Sequence, residues 1–525
     1  MKENLSLRTD YWDNFEFRDT DLEFLYNHLI EVETPQTTQE LLRALVEERI
    51  NLEKRNMEKQ RIGKGQIYYP KEHYDKGQKL IFPSLGWREG QVIETRKGYN
   101  PEMDPFEVIT VKFADDETHL FAATLDNHTL NTPVMMEFND PLLNVDYVLK
   151  QYGQKLTALL NNSLENKPDL VRIAGRWFPR TLLVDINIGY LNLAEALLDM
   201  NNGGPLPTSA IMDQIELPKE ANSKLMEFSL NLALQEDGRF DEVGPAGKVL
   251  WYLRRLEPDC VRETPIYLQS KKTEADQTEA PEVLEQIRRL VMDEFEPAMP
   301  VSGDENEVTI SLIYPHWRAG ALPLAGALAS LFPTAYESPR VLSTFVDVES
   351  GNRFPAWIVR EAKYVYGLEN WYKAQGVIPG SYVHLTRGKT PGEVNIKAEK
   401  KRAARDWIRT ALVGADGEVV FAMIKQLIAT AYDERMAVYI PDVEALDQVW
   451  HQIHKQKTPL EQIVLNTMRE LAKLNPQGHI HALELYAAVN IFHRYPPSAI
   501  LGSLFATKKA TYLGDLYFRL LEAQE

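Results

Sequence analysis

Residues 238–244 (GRFDEVG) and 248–256 (KVLWYLRRL) form the stretch that decides the fold of this chain. Apolar residues alternate in both segments, and a Gly-Pro-Ala-Gly sequence joins them, so the pattern predicts two short strands connected by a turn. The apolar segment 228–234 predicts a helix that leads into the first strand. A helix followed by such a two-stranded flap is typical of a winged helix.

The same stretch carries a signature that resembles a known family. Its elements are Asp237, Arg239, Phe240 and Gly244, followed by Trp251, Leu253 and Arg254. They are similar to the D-x-R-F-x-x-x-G…W-x-L-R signature of the HARE-HTH class, which includes the N-terminal domain of the delta subunit of bacterial RNA polymerase. The resemblance covers residues 188–268. It implies a winged helix over 186–270 that contacts DNA or RNA polymerase and has no catalytic residue.

Length and composition set the class of protein. At roughly 100–150 residues per domain, a chain of 525 residues predicts four or five modules. A single cysteine, Cys260, excludes an intramolecular disulfide and a zinc site made of several cysteines. No apolar run reaches the roughly 20 residues that span a bilayer, and the polar start lacks the core of a signal peptide. We therefore expect a cytoplasmic protein without a membrane partner.

The net charge of −18 is unevenly distributed. Residues 273–308 contain 11 acidic side chains against two arginines, Arg288 and Arg289. This composition predicts an acidic, solvated linker over 271–308. The acidity outside the linker is then small enough to permit contacts with nucleic acid.

Three modules are predicted before residue 186. Residues 1–70 predict a small helical domain, compatible with a helix-turn-helix. Residues 71–135 alternate with period two and resemble SH3-like or Tudor-like barrels; their G-x-x-L-x-F-P…G-x-V opening is similar to the polymerase-binding domain of the CarD family. Residues 140–185 predict a helix and two strands that turn at Gly175, a degenerate winged helix. Such an internal repeat favours a binding array over a single active-site cleft.

Three further modules are predicted after the linker. Residues 309–412 predict the order strand, strand, helix, strand, strand, which resembles the pseudobarrel DNA-binding domain of plant auxin-response factors, although a general Pro-Gly turn explains the pattern equally well. Residues 413–457 predict a helical connector. Residues 458–525 predict a final winged helix, whose helix at 497–505 would enter a DNA groove.

Basic residues indicate where nucleic acid would bind. Lys397, Lys401, Arg405 and Arg409 recur every four residues, so they would share one face of a helix over 397–410. An ordinary solvated helix is the alternative. The predicted nucleic-acid-binding residues are Lys397, Lys400, Lys401, Arg402, Arg405, Arg409, Lys508 and Lys509.

Sequence motifs of catalysis are absent. No G-x-x-x-x-G-K-[ST] loop and no G-x-S-x-G turn occurs, and the spaced histidines at 451, 454, 479 and 481 lack a cysteine cluster or a His-Glu-x-x-His pattern. We therefore predict no metal and no cofactor. Dispersed carboxylates such as Asp185, Asp199 or Asp347 leave a nuclease as an alternative.

Together these patterns predict an α+β multidomain protein in which several winged-helix modules are combined with small β-barrel modules. The predicted function is a non-enzymatic, multi-module protein of transcription that binds DNA, RNA polymerase or both. The alternatives are a protein-interaction scaffold without direct DNA contact and a nuclease of a defence system.

Overall fold

A computed structural model describes residues 7–62, 65–101, 104–131, 140–215, 217, 222–245, 247–270, 281–297, 306–332 and 338–521. Helices and several separate β-sheets follow one another along the chain, so the protein is a mixed α+β multidomain protein. It divides into two compact units, Met1–Leu183 and Val184–Glu525. No helix in the described part of the chain is both long and apolar enough to cross a bilayer.

The first unit consists of helices that flank a β-sheet insertion. Its elements in chain order are α1 (Asp19–Val32), β1 (Gln36–Thr37), α2 (Thr38–Ile62), β2 (Gln66–Ile67), β3 (Lys79–Phe82), β4 (Arg88–Lys97), β5 (Glu107–Phe113), β6 (Thr118–Ala123), α3 (Val145–Glu165), β7 (Leu170–Ile173) and β8 (Arg176–Pro179).

The two ends of this unit form a single structure, which we call the first repeat (α1, β1, α2, α3, β7 and β8). The short strand β1 pairs with β8, in the sheet order β1-β8-β7, and Gln36 lies opposite Trp177. The sequence placed residues 1–70 and 140–185 in separate domains. That division fails at this sheet, because a pairing between residues so far apart in the chain leaves no local pattern.

The insertion between α2 and α3 is a five-stranded sheet in the order β2-β3-β4-β5-β6. Its core is aromatic and β-branched, and includes Tyr68, Phe82, Ile109 and Val111. The strands predicted from the period-two pattern of residues 71–135 are confirmed. Alternation is clearest in β4 and β5, where buried residues such as Val92, Ile109 and Val111 are separated by more exposed ones.

The second unit is larger. Its elements are α4 (Ile188–Met200), β9 (Leu206–Pro207), α5 (Thr208–Gln214), α6 (Ser223–Glu236), β10 (Phe240–Glu242), β11 (Leu250–Leu253), α7 (Asp259–Arg262), α8 (Pro281–Leu290), β12 (Glu307–Ser311), α9 (Tyr314–Arg318), β13 (Ala321–Pro323), α10 (Gly326–Leu331), β14 (Arg340–Asp347), β15 (Arg353–Val359), β16 (Tyr364–Tyr366), α11 (Glu369–Gln375), β17 (Tyr382–Arg387), β18 (Glu393–Ala398), β19 (Lys400–Val413), β20 (Val419–Thr430), α12 (Val443–Gln456), α13 (Leu460–Ala472), β21 (His479–His481), α14 (Ala482–Val489), α15 (Pro497–Ala506), β22 (Ala510–Gly514) and β23 (Tyr517–Leu520).

This unit contains a second repeat (α4, β9, α5, α6, β10 and β11) and a third repeat (α13, β21, α14, α15, β22 and β23). The hairpin predicted from residues 238–256 is confirmed: β10 and β11 are antiparallel, with Phe240 opposite Leu253. The sheets have the orders β10-β11-β9 and β21-β23-β22. All three repeats therefore share one element order, and the last strand lies between the other two in each sheet.

The first two repeats also share a buried hydrogen-bond arrangement. In the first repeat, the Trp177 indole N–H donates to the Thr38 hydroxyl at 3.0 Å, and that hydroxyl donates to the Asn161 side-chain oxygen at 2.8 Å. A threonine at the start of the second helix, an asparagine of the third helix and a tryptophan of the last strand thus satisfy one another. We call this arrangement the Thr-Asn-Trp triad.

The second repeat has the same triad at the matching positions. Thr208 donates to Asn231 at 2.6 Å, and the Trp251 indole N–H lies 3.2 Å from Thr208 and 3.0 Å from the Asn231 oxygen. From the sequence alone, residues 175–178 (GRWF) resemble 238–240 (GRF), which would align Trp177 with Phe240, a residue of the preceding strand β10. The register instead matches Trp177 with Trp251, because each lies opposite the residue two positions before the triad threonine.

A seven-stranded sheet forms the centre of the second unit, in the order β12-β17-β18-β14-β15-β16-β13. The predicted order of two strands, a helix and two strands is present as β14, β15, α11, β17 and β18, with β16 inserted between β15 and α11. Residues 309–412 also contain elements that were not predicted: most of β12 and β19, and all of α9, β13 and α10. The hairpin of the second repeat packs on this sheet: the Leu342 amide donates to the Val243 carbonyl at 2.8 Å, and Tyr252 meets Trp357 edge to face at 5.2 Å.

Much of the segment predicted as a solvated acidic linker is folded. Val283, Leu284 and Ile287 of α8 are buried in the same core as the third repeat. The expectation of a solvated spacer is wrong for residues 281–297, because charge counting ignored the apolar face that these residues give the helix. Residues 271–280 and 298–305 lie outside the described part of the chain.

Acidic side chains of this segment are neutralised in the interior. The buried Arg494 guanidinium lies 2.7 Å from the Asp293 carboxylate and 2.9 Å from that of Glu294, and His316 lies 3.1 Å from Glu294. Burial raises the pKa of Asp293. Burial also opposes ionisation of Glu294, but Arg494 and His316 outweigh it and lower the pKa of Glu294. The cluster fixes the segment after α8 to the third repeat.

Candidate nucleic-acid interface

The predicted basic helix is instead a long two-stranded ribbon of β19 and β20. The pairing runs from Val413 opposite Val419 to Ala404 opposite Ile428, and the register shifts between Lys400 and Ala404. The helix predicted over 397–410 is therefore wrong, as is the helical connector for Val419–Thr430. Spacing of charges every four residues was fortuitous, since cross-strand pairing over eleven positions decided the structure.

A local hairpin signal was available in the sequence. Asp416 and Gly417 lie between two runs rich in β-branched and aromatic residues, and an Asp-Gly pair in that position is typical of a hairpin. In the structure the Gly414 amide donates to the Glu418 carbonyl at 2.8 Å, and Gly417 has a φ of +79°. This backbone conformation favours glycine, so the turn explains the residue found there.

Opposite faces of the ribbon are buried at its two ends. Near β18, Ile408 and Ile428 are buried with Ala437 on one face. Near the turn, Ala411 and Phe421 of the other face enter the large core of the third repeat. Because side chains alternate between faces, the second face is left uncovered at the end near β18, on the side opposite Ile408 and Ile428.

This uncovered face forms a surface that we call the ribbon patch: Arg405, Trp407, Met423, Lys425 and Leu427. The exposed fractions of Trp407, Leu427 and Met423 are 62%, 69% and 44%. Lys425 lies opposite Trp407 in the register, with its ammonium 5.3 Å from the centre of the indole ring. Arg405 lies opposite Leu427. Large exposed apolar side chains beside cations mark an interaction surface.

The predicted cations of this region fall into two groups. Lys400 forms an ion pair with Glu349 at 2.9 Å, and Lys401 forms one with Asp406 at 2.5 Å. By contrast Arg402 and Arg405, like Lys397 and Lys425, are exposed and have no carboxylate within ion-pair distance in the described part of the protein. Their charges are available to a polyanion.

Arg409 does not belong to the surface. Only 7% of the residue is exposed, and its guanidinium donates to the Arg435 carbonyl at 2.8 Å and to the Glu484 carboxylate at 2.9 Å. Burial lowers the pKa of Arg409, while Glu484 opposes that effect. Arg409 therefore makes a structural contact between β19 and α14, in place of the predicted contact with nucleic acid.

The predicted groove-reading helix of the third repeat is also buried. Residues 497–504 of α15 are all inaccessible to solvent, since they pack against α8 and α13. This helix cannot enter a DNA groove without unfolding the repeat. Lys508 and Lys509 are exposed just beyond it, before β22.

The signature residues of the second repeat stabilise its fold. The Arg239 guanidinium donates to Asp237 at 2.6 Å and to Glu195 at 2.6 Å, which raises the pKa of Arg239 and lowers that of Asp237. Phe240 and Trp251 are buried, while Arg254 is exposed. These contacts account for the signature without a ligand.

The candidate nuclease carboxylates are not brought together as a site. Asp199 forms an ion pair with Arg255 at 2.5 Å, and the buried Asp347 accepts hydrogen bonds from Ser350 and Gln375. His481 caps α14, and burial together with Arg435 lowers the pKa of His481 to about 4. Among the residues with described positions, no group of three or more His, Cys, Asp or Glu could hold a metal ion.

The residues of the ribbon patch that the sequence analysis did not identify are Trp407, Met423, Lys425 and Leu427. They were assigned to helices, where they would not share a face. Comparison of the chain with protein-family models, with curated proteins and with solved structures finds no match. The geometry of the surfaces therefore carries the functional argument.

Proposed function

We propose that the chain is a non-enzymatic nucleic-acid-binding protein of transcription whose ribbon contacts the polymer. One observation carries the proposal. In a protein with a net charge of −18, Arg405 and Lys425 lie beside an exposed tryptophan on one face of the ribbon, and Arg402 is exposed on the same strand as Arg405. None of these three cations has a carboxylate partner in the described part of the chain. Exposed cations that are not neutralised by carboxylates can contact phosphates, and such contacts are favourable because binding releases the counterions of the nucleic acid.

The shared topology supports winged helices as the scaffold. Each repeat has the order helix, strand, helix, helix, strand, strand, as expected for that fold and for the HARE-HTH resemblance of the second repeat. In the second and third repeats the hairpin or the third helix is covered by the rest of the unit. We infer that these two repeats hold the sheet and the ribbon in place.

The first repeat offers a second surface. Its third helix, α3, buries Leu156 and Leu160 and exposes Lys150, Gln151 and Gln154 on the other side, with Gln154 about one turn after the first two. Lysine contacts phosphates, and glutamine can form paired hydrogen bonds with adenine in the major groove. We assign any contact of the repeats with duplex DNA to this helix, in place of residues 497–505.

The test is a comparison of affinity and its salt dependence. Replacement of Arg402, Arg405 and Lys425 by alanine removes up to three phosphate contacts. The negative slope of log affinity against log salt concentration for an oligonucleotide should therefore become shallower by about 2. The matched control replaces Lys400 and Lys401 by alanine, because their charges are already paired with carboxylates. Fluorescence anisotropy at several salt concentrations measures the affinity of each variant. An unchanged slope in the triple variant would contradict the proposal.

A protein-docking scaffold is the second candidate, and the exposed Leu427 and Met423 favour it. RNA polymerase is the partner that the HARE-HTH resemblance implies. A pull-down from native lysate with and without nuclease treatment separates the two: capture of polymerase that survives nuclease supports docking, and capture that is lost supports nucleic acid.

A further inference from the structure

The ribbon patch combines cations with exposed apolar side chains, one of which is aromatic. Its three exposed apolar side chains lie on the same face as its cations. Trp407 is two residues after Arg405 on β19 and lies opposite Lys425 of β20. Along a strand, residues two apart are separated by about 6.8 Å, so the patch extends over ~13 Å. That length matches a few nucleotides of an extended strand.

The Trp407 ring is already engaged on one side. Lys425 lies over it, and more than half of the residue remains in solvent. A cation–π contact at an exposed site contributes about 0.5–1 kcal/mol, so it favours this orientation of the ring. The ring therefore offers an exposed aromatic surface on which a flat group can stack.

The charge and the apolar area together select the occupant. In duplex DNA the bases are stacked on one another, so no base face is free to cover the Trp407 ring. A single strand turns its bases outward, so a base can stack on the aromatic ring while the adjoining phosphates reach arginine and lysine. The positive charge of the patch disfavours a basic peptide, and an uncharged apolar peptide would leave the cations without partners.

We propose that the ribbon patch binds single-stranded nucleic acid, with an unpaired base stacked on Trp407 and the flanking phosphates held by Arg405 and Lys425. The inference rests on the proposed function and names the form of polymer that the ribbon takes. DNA and RNA share the chemistry, since both present bases and phosphates.

The experiment compares wild-type protein with the Trp407→Ala variant on four probes: oligothymidine, oligouridine, an abasic oligodeoxynucleotide and a duplex. Base stacking contributes about 1–3 kcal/mol, so W407A should weaken binding to oligothymidine or oligouridine about 5- to 150-fold. It should have little effect on the abasic strand or the duplex. Trp407→Phe should retain most of the affinity. The Tyr99→Ala variant is the control, because Tyr99 is 90% exposed and lies outside the patch.

Each result has a distinct meaning. Equal losses on the abasic strand and on oligothymidine would overturn stacking, because the abasic strand has no bases to stack. Loss of affinity in the triple cation variant but none in W407A would overturn the inference and leave the proposed function standing. Absence of binding to all four probes by wild-type protein would overturn both. Circular dichroism of W407A checks that the exposed substitution leaves the fold intact.

Discussion

In the first and second repeats, a threonine that begins the second helix accepts a hydrogen bond from a tryptophan of the last strand. The two repeats share this core but differ in the surfaces around it. The first repeat leaves the polar face of α3 exposed. The second repeat packs its hairpin on the seven-stranded sheet, through the contacts of Val243 and Tyr252. Two repeats with the same core thus have one surface that is exposed and one that packs on a sheet. The function of a repeat therefore has to be inferred from its surface and not from its core.

The third repeat extends the comparison. By register, Ala482 takes the place of the triad threonine and Phe518 that of the tryptophan, since Phe518 lies opposite the residue two before Ala482. The polar triad is replaced there by apolar packing, and Arg494 binds Asp293 and Glu294 nearby. A common topology therefore does not require a common set of buried polar contacts.

The largest expected effect comes from breaking the triad in the two repeats that have it. In Thr38→Val the indole N–H of Trp177 loses the acceptor it has in the structure, at a cost of about 1–3 kcal/mol. In Thr208→Val the Trp251 indole can still donate to Asn231 at 3.0 Å, so a smaller cost is expected. Hydrogen–deuterium exchange of β8 and β11 measures the two local openings separately. Equal losses, or a greater loss in the second repeat, would show that the triads are not built as the distances indicate.

A smaller effect depends on pH and tests the docking of the second repeat. Burial and the neighbouring Asp241 raise the pKa of Glu257 to about 8 from an ordinary 4.5, while Arg340 and Arg254 oppose this. The folded state then holds the Glu257 proton more tightly than the unfolded state, so stability is lost as pH rises from about 4.5 to 8. Glu257→Gln keeps a hydrogen-bond donor without the charge.

We expect the thermal transition of Glu257→Gln to exceed that of wild type by ~2–4 °C at pH 9 and to match it more closely near pH 5. Calorimetry of the full chain measures the difference. The exposed Glu263→Gln variant is the control and should follow wild type at both values. A constant difference between Glu257→Gln and wild type across the pH range would rule out titration of this carboxyl as the cause.

Local patterns in the sequence predicted the hairpin at residues 238–256, the strands of the inserted sheet and the helices of the third repeat. These elements follow from alternation, helix periodicity and turn residues, which act over a few positions. What the sequence did not reveal depends on distant pairing. The strand β1 finds β8 across the inserted sheet, and this contact makes one repeat of two segments.

The sequence analysis named Arg402 and Arg405, which the structure leaves exposed, but it placed them on a helix. On that helix Arg409 would lie on the surface, and Trp407 and Lys425 would not share a face. Cross-strand pairing with Val419–Thr430 decides which side chains share a face, and that pairing becomes visible only when Asp416 and Gly417 are recognised as a hairpin turn. The burial of α15 likewise depends on its contacts with α8. The sequence analysis predicted that segment as an acidic linker and did not consider its apolar face.

The central claim is that nucleic acid contacts the ribbon, and photo-crosslinking locates that contact directly. An oligothymidine that carries one 4-thiothymine is bound to wild-type protein and irradiated, and the attached peptide is identified by mass spectrometry. The account predicts attachment within residues 400–430, at or beside Trp407, and loss of that product in the Arg402, Arg405 and Lys425 triple variant. Crosslinks that form only elsewhere in the chain, with residues 400–430 unmodified, would contradict it.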